Sequence, residues 1–244
     1  MNASNPYGFM SLWEQGDWVT KLVALLLFSM SVLSWYVIIM KSLHQSKLRR
    51  QAAIAGDAFW HTKSLDEGIR LFGPEEENNP FRSLAADGIN AAAHHRHSRT
   101  HSKGDLHDSL NPSEWLTSCL RRSIENITHN LQTGLPILAS VGSTAPFVGL
   151  FGTEWGIYHA LVGIGVSGQA SIDKVAGPVV EALIMTAFGL AVAIPAVLGY
   201  NALTNNNKKI MARIRNFAHD LHACLLTGDR VGHSEMSISA GEPA

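Results

Sequence analysis

The chain has 244 residues, 46% apolar and only 16% charged, and its mean hydropathy is +0.06. Soluble domains usually carry about 25% charged residues, so this composition points to a membrane and excludes a wholly disordered chain. A net charge of −1 offers no basic excess for nucleic acid, and two cysteines, Cys119 and Cys224, cannot staple a disulfide-built fold.

Residues 1–18 are expected to lie outside the membrane. The first twenty residues hold no Lys or Arg and carry Glu14 and Asp17, unlike the basic opening of a cleavable signal. Residues 19–41 form the first expected span. Within it, residues 22–40 carry no charge, and as a helix they cover about 28 Å, close to a hydrocarbon core of about 30 Å. This span is bulky, with Leu, Phe, Trp and Tyr, and suits a peripheral, lipid-facing position.

Residues 42–133 form a helical loop. Five histidines cluster in it: His94, His95, His97, His101 and His107. No cysteine or paired spacing supports a metal site there, so a solvated polar loop is the better reading. Asn111-Pro112-Ser113-Glu114 has the residues of a helix start: a capping side chain, a proline at the first helical position and an acid in the first turn. Leu116, Leu120, Ile124, Ile127, Leu131 and Leu135 then recur every three or four residues. That spacing predicts a helix running straight into the second span, with core packing as the commoner reading of its stripe.

Residues 134–165 form the second span, broken in charge only by Glu154. Gly142, Ala145, Gly149, Gly152, Gly156, Ala160 and Gly163 lie on one stripe of small residues. Such a stripe lets another backbone come close, which is how helices associate in lipid. A tight turn over 166–172 leads to the third span, 173–203, where residues 175–203 are interrupted only by Glu181. Its small stripe is Ala182, Thr186, Gly189, Ala193 and Ala196. Pro136, Pro146 and Pro195 fall within the spans; Pro146 and Pro195 are expected helix-kink positions. Residues 204–244 form the tail, and Ile210, Ile214, Phe217, Leu221 and Leu225 continue a helical stripe there.

Basic residues set the orientation. Lys41, Lys47, Arg49 and Arg50 follow the first span, and Lys208, Lys209, Arg213 and Arg215 follow the third. With three spans both clusters fall on the same side, placing the N-terminus outside and the loop and tail inside. The fold class is therefore all-α, a polytopic membrane protein with three transmembrane helices, the second and third extended into the cytoplasm.

Glu181 has two readings from position. A carboxylate within a span is costly and usually faces a protein interior or a water path, where it can take up a proton. Alternatively it snorkels to the outer interface or caps the helix after Gly177-Pro178. Thr153 and Thr186 lie near the middles of their spans; they either line a polar path or, more commonly, bond the carbonyl of the preceding turn. Acid, base and nucleophile candidates do not converge, and no phosphate loop or metalloprotease motif is present, so an enzyme is not expected.

Gly149-Leu150-Phe151-Gly152-Thr153 with Trp155-Gly156-Ile157 resembles the second-span signature of the MotA/TolQ/ExbB proton-channel family. Glu181-Ala182-Leu183-Ile184-Met185-Thr186-Ala187-Phe188-Gly189-Leu190, then Ala193-Ile194-Pro195-Ala196-Val197 and Tyr200-Asn201, resembles its third-span signature. Three spans fit the ExbB/TolQ branch rather than the four-span flagellar branch. Asp173-Lys174-Val175-Ala176-Gly177-Pro178 before Glu181 is similar to ExbB proteins. Two positions depart from the pattern: Glu154 stands where a small apolar residue is usual, and Val180 where a small residue is usual.

The resemblance implies a homo-oligomeric ring, a pentamer in the accepted form, around single-span ExbD-like helices in the inner membrane of a Gram-negative bacterium. It implies a motor with no cofactor, in which protons are the coupling ion. The motor energises a TonB-like protein for outer-membrane uptake of iron-siderophores and vitamin B12. Carried over by motif, Thr153, Glu181 and Thr186 line the ion pathway. Gly142, Ala145, Gly149, Gly152, Gly156, Gly163, Ala182, Gly189 and Ala193 pack helices. The alternatives are a TolQ-type motor subunit of the Tol–Pal system and a non-conducting membrane scaffold.

Overall fold

A computed structural model describes residues 17–56, 58–62, 64–73, 79–101, 111–167 and 172–227. Among the described residues six helices carry the fold: α1 (Trp18–Gly56), α2 (Leu65–Leu71), α3 (Pro80–His101), α4 (Pro112–Gln132), α5 (Leu135–Ser167) and α6 (Ile172–Thr227), with a short 3-10 turn at Phe59–His61. Among the described residues there is no strand. Among them, three helical stretches are long and apolar enough to cross a membrane.

Chain composition explains where the helices run and stop. Residues 18–55 contain neither Gly nor Pro, so α1 continues well past the first span and ends at Gly56. Its 39 residues are about 58 Å long, roughly twice a hydrocarbon core. The 56 residues of α6 reach about 84 Å, through Pro195 and on into the tail.

The helix expected to run unbroken from residue 112 into the second span is in fact two helices. The break falls at Thr133-Gly134, where Gly134 has φ +85°. An L side chain there costs about 1–2 kcal/mol, and glycine is the usual residue for ending a helix in this way. The apolar stripe passes through Leu131 and Leu135 without a gap, which is why periodicity alone hides the break.

The described residues divide into two compact units, one within Met1–His44 and Gln132–Asn206, the other within Gln45–Leu131 and Asn207–Ala244. The first is the membrane unit, built from the start of α1, all of α5 and the first part of α6. One stripe of α1 is buried, Val19, Val23, Leu27, Ser34 and Val37, while Leu25, Phe28, Trp35 and Tyr36 stay exposed. Val19, Val23 and Leu27 share a core with Val141 and Ala145 of α5 and Met185, Ala193 and Ala196 of α6, while Val37 packs with Leu135, Leu138 and Leu203.

In the second unit Phe59 sits at the centre of an aromatic cluster. Its ring lies 4.9 Å from Trp60, 5.4 Å from Phe72 and 5.0 Å from Phe217. The stripes of α4 and of the end of α6 bury Leu116, Leu120, Ile127, Ile210, Ile214 and Leu221 around it. Side chains cap helices here: Ser64 accepts from the Glu67 amide, Asn79 accepts from the Phe81 amide while donating to the Phe72 carbonyl, and Asn111 accepts from the Ser113 amide at the start of α4. Burial, reinforced by the Asp87 carboxylate and opposed by Arg122, pushes the Cys119 thiol up, keeping it a protonated packing group.

A buried amide relay ties three helices of this unit. Gln45 Nε2 donates to Asn207 Oδ1 at 2.7 Å, and Asn207 Nδ2 donates to the Leu131 carbonyl at 2.9 Å. That carbonyl is one of those the end of α4 leaves without a helical donor. Asn is a weak helix former in water, yet Asn205-Asn206-Asn207 stays helical because Asn207 is buried and bonded on both sides of its amide. Asn207→Leu should cost about 1–3 kcal/mol and lower the thermal midpoint of the detergent-solubilised protein. Asn205→Leu, at an exposed position, should leave the midpoint nearly unchanged.

Candidate ion-pathway site in the membrane unit

The site is set by how closely two backbones meet. A Cβ added to Gly149 of α5 would stand 2.7 Å from the Met185 carbonyl oxygen and 3.0 Å from the Gly189 Cα. One added to Gly189 of α6 would stand 2.7 Å from the Ala145 carbonyl oxygen and 3.0 Å from the Gly149 Cα. The two glycines therefore face each other with room for hydrogen atoms only. On either side of this crossing, Gly142 meets Val197, and Gly152 fits between Met185 and Val23.

One helical turn further along α5 from Gly149 comes Thr153, on the same face. It is only 8% exposed. Its Oγ1 lies 3.2 Å from the Gly149 carbonyl, one turn back, and 3.0 Å from the Ala182 carbonyl on the other helix. It also bonds the Thr186 hydroxyl. A hydroxyl has one proton to give, so donation to a carbonyl leaves Thr153 to accept from Thr186. Thr153 thus bonds the preceding turn, the commoner of its two readings, and also bridges to the neighbouring helix. The two hydroxyls form a continuous polar contact inside an otherwise apolar helix pair.

Glu181 lies on α6 immediately before Ala182, whose carbonyl faces Thr153, and five residues before Thr186; its side chain lies outside the described residues. The same holds for the side chains of His94, His95, His97 and His101 on α3, and for His107 altogether. Ala182, Gly189 and Ala193 are buried in α6. Gly163 is different: a Cβ there meets nothing within 4 Å. Gly156 is half-buried, and both α5 and α6 continue through their prolines, Pro146 and Pro195. Glu154 is exposed on α5.

Sequence reasoning passed over a further polar contact at this end of the unit. His159 Nε2 lies 3.0 Å from Asp17 Oδ2, joining the start of α1 to α5. The His159 ring also rests 4.8 Å from the Trp155 ring. Asp17 and His159 are far apart in sequence, and nothing local in either stretch pairs them.

Residues 76–216 match the model of the family described as the MotA/TolQ/ExbB proton channel family. The chain belongs to this family. It is 44% identical to a biopolymer transport protein ExbB of Xanthomonas campestris pv. campestris, over 88% of this chain and 85% of that one. It is 39% identical to a biopolymer transport protein ExbB of Neisseria meningitidis, over 88% of this chain and 96% of that one. A Tol-Pal system protein TolQ of Pseudomonas aeruginosa is more distant, 33% identical over 88% and 91%. The matched segment takes in the Gly149–Gly189 crossing and both threonines, so the site lies within what this chain shares with its family.

Adding a methyl group at the crossing overpacks it. Gly149→Ala should destabilise the purified protein by about 1–3 kcal/mol, whereas Gly163→Ala should cost little or nothing. Parallel thermal unfolding of the two variants in one detergent checks this; equal losses would remove the special status of the crossing.

Proposed function

We propose that this chain is the ring subunit of an ExbB-type, proton-driven energy transducer. The observation that carries the reading is the Thr153–Thr186 hydroxyl contact, held against the Ala182 carbonyl inside the α5–α6 pair. The resemblance of sequence to ExbB proteins supports the same reading.

In this reading the subunit lies in the inner membrane with its N-terminus periplasmic and its C-terminus cytoplasmic. Basic residues after the first and third spans support that orientation. Five copies form a ring around the single span of an ExbD-like subunit. Thr153, Glu181 and Thr186 line the path on the ring's inner side. The hydroxyls pass or solvate the proton, and Glu181 shapes the field along its route. Each proton crossing about 100 mV releases about 2.3 kcal/mol, so several crossings supply a large conformational change. A TonB-like protein delivers that work to outer-membrane receptors for iron-siderophores and vitamin B12.

Thr186→Val keeps the shape of the side chain but removes its hydroxyl, and Glu181→Ala removes the carboxyl. In cells lacking the natural gene, both variants should abolish TonB-dependent siderophore uptake while still co-purifying with the ExbD-like subunit. Normal uptake in both would contradict the proposed path. The likeness to TolQ keeps a Tol–Pal motor as the second reading. Deletion separates the two: iron starvation marks the first, detergent sensitivity with chained cells the second.

A further inference from the structure

His159 of α5 lies between two groups that can only accept a proton. Its Nε2 is 3.0 Å from Asp17 Oδ2 at the start of α1, and its Nδ1 is 3.4 Å from the Trp155 carbonyl oxygen, one turn back on α5. An ionised carboxylate and a carbonyl both accept and neither donates. A neutral imidazole has one N–H and one lone pair, so whichever nitrogen lacked the proton would turn its lone pair towards an oxygen. Only the doubly protonated ring gives each oxygen a hydrogen.

A third neighbour favours the same charge. The Trp155 ring is centred 4.8 Å from the His159 ring, within the distance of about 6 Å over which an indole attracts a cation. The pair is open to water, with the His159 side chain 45% and the Asp17 side chain 50% exposed, so protons can exchange with it. Asp17 also opens the first turn of α1, its carbonyl accepting from the Lys21 amide. The other titratable groups near this level are Lys21 on α1 and Glu154 and Tyr158 on α5, the Tyr158 ring 5.5 Å from that of His159. On α6 the side chains of Asp173, Lys174 and Glu181 lie outside the described residues.

We propose that His159 is a proton-binding site on the outer side of the membrane, and that its bound proton clasps the start of α1 to α5. The proton comes from the outer water and adds to the free ring nitrogen. When it returns to water the ring is neutral and the charged pair with Asp17 is lost. Imidazole is the side chain that ordinarily changes charge between about pH 5 and 8. The clasp therefore closes at the acid end of that range and loosens at the alkaline end. Thr153 lies six residues away on the same helix, about 9 Å along its axis, so the clasp acts on the helix that carries one of the two paired hydroxyls. The outward placement rests on the orientation proposed above; the proton site itself rests on the contacts of His159.

The test titrates the full chain, purified with the ExbD-like subunit in detergent, across the imidazole range while tryptophan fluorescence and the thermal midpoint are recorded. A protonated imidazole quenches an indole that it touches. Fluorescence should therefore rise in a step as the pH increases, and the thermal midpoint should fall over the same step. His159→Gln keeps a hydrogen-bond donor for Asp17 but takes up no proton, so both changes should be lost. Other histidines can add steps of their own, and the difference between the unaltered chain and His159→Gln is the quantity read. Asp17→Asn, at a half-exposed position, should move the step towards lower pH, because the imidazolium loses its carboxylate. Identical titrations of the unaltered chain and His159→Gln, or a step at unchanged pH in Asp17→Asn, would overturn the site. The titration imposes no gradient. Failure of the threonine path would leave the step in place, and absence of the step would leave the threonine path standing.

Discussion

The membrane unit depends on one contact, the meeting of α5 and α6 backbones at Gly149 and Gly189. Apolar burial cannot hold two helices together in lipid, because the tails are as apolar as the side chains they would replace. Close backbone approach substitutes for it by maximising dispersion contacts. The same approach decides where the threonine hydroxyl goes. With α6 this near, the Ala182 carbonyl and the Thr186 hydroxyl come within reach of Thr153. A bulkier residue at either glycine would move these groups apart and leave polar atoms to find partners in hydrocarbon.

The second unit is stabilised by different means. Its core is aromatic, centred on Phe59 and Phe217, and its polar contacts include helix caps, a buried amide relay and the Ser123 hydroxyl on the Asp87 carboxylate. Gln45 and Asn207 join α1 to α6, and Asn207 also satisfies a carbonyl at the end of α4. The break at Gly134 is what leaves that carbonyl to be satisfied. A glycine with positive φ and an asparagine distant in sequence are thus two parts of one device.

Much of this was legible in the sequence, for definable reasons. Long apolar runs with at most one charge mark spans because lipid tolerates little else, so the three stretches stand out without any structure. The helical stripe from Leu116 to Leu131 was readable because burial repeats with the helix turn. The break at Thr133-Gly134 was not, because the apolar spacing continues across it and one glycine within such a pattern is ambiguous. Small residues at Gly142, Gly149 and Gly152 announced a close approach but not its partners, which are α6 of the same chain and, at Gly152, α1 as well. Gln45 and Asn207 carried no signal, since a buried amide and an exposed one look alike until the fold brings together two residues 162 positions apart. The pairing of Asp17 with His159 was hidden for the same reason.

The claim on which the functional account turns is that the paired hydroxyls of Thr153 and Thr186 belong to a proton path. Proton flux through the purified complex in liposomes, followed with an entrapped pH-sensitive dye under an imposed potential, tests it most directly. Replacing both threonines with valine should lower the flux to that of liposomes without protein, while the complex remains assembled. Flux equal to that of the unaltered complex would contradict the account.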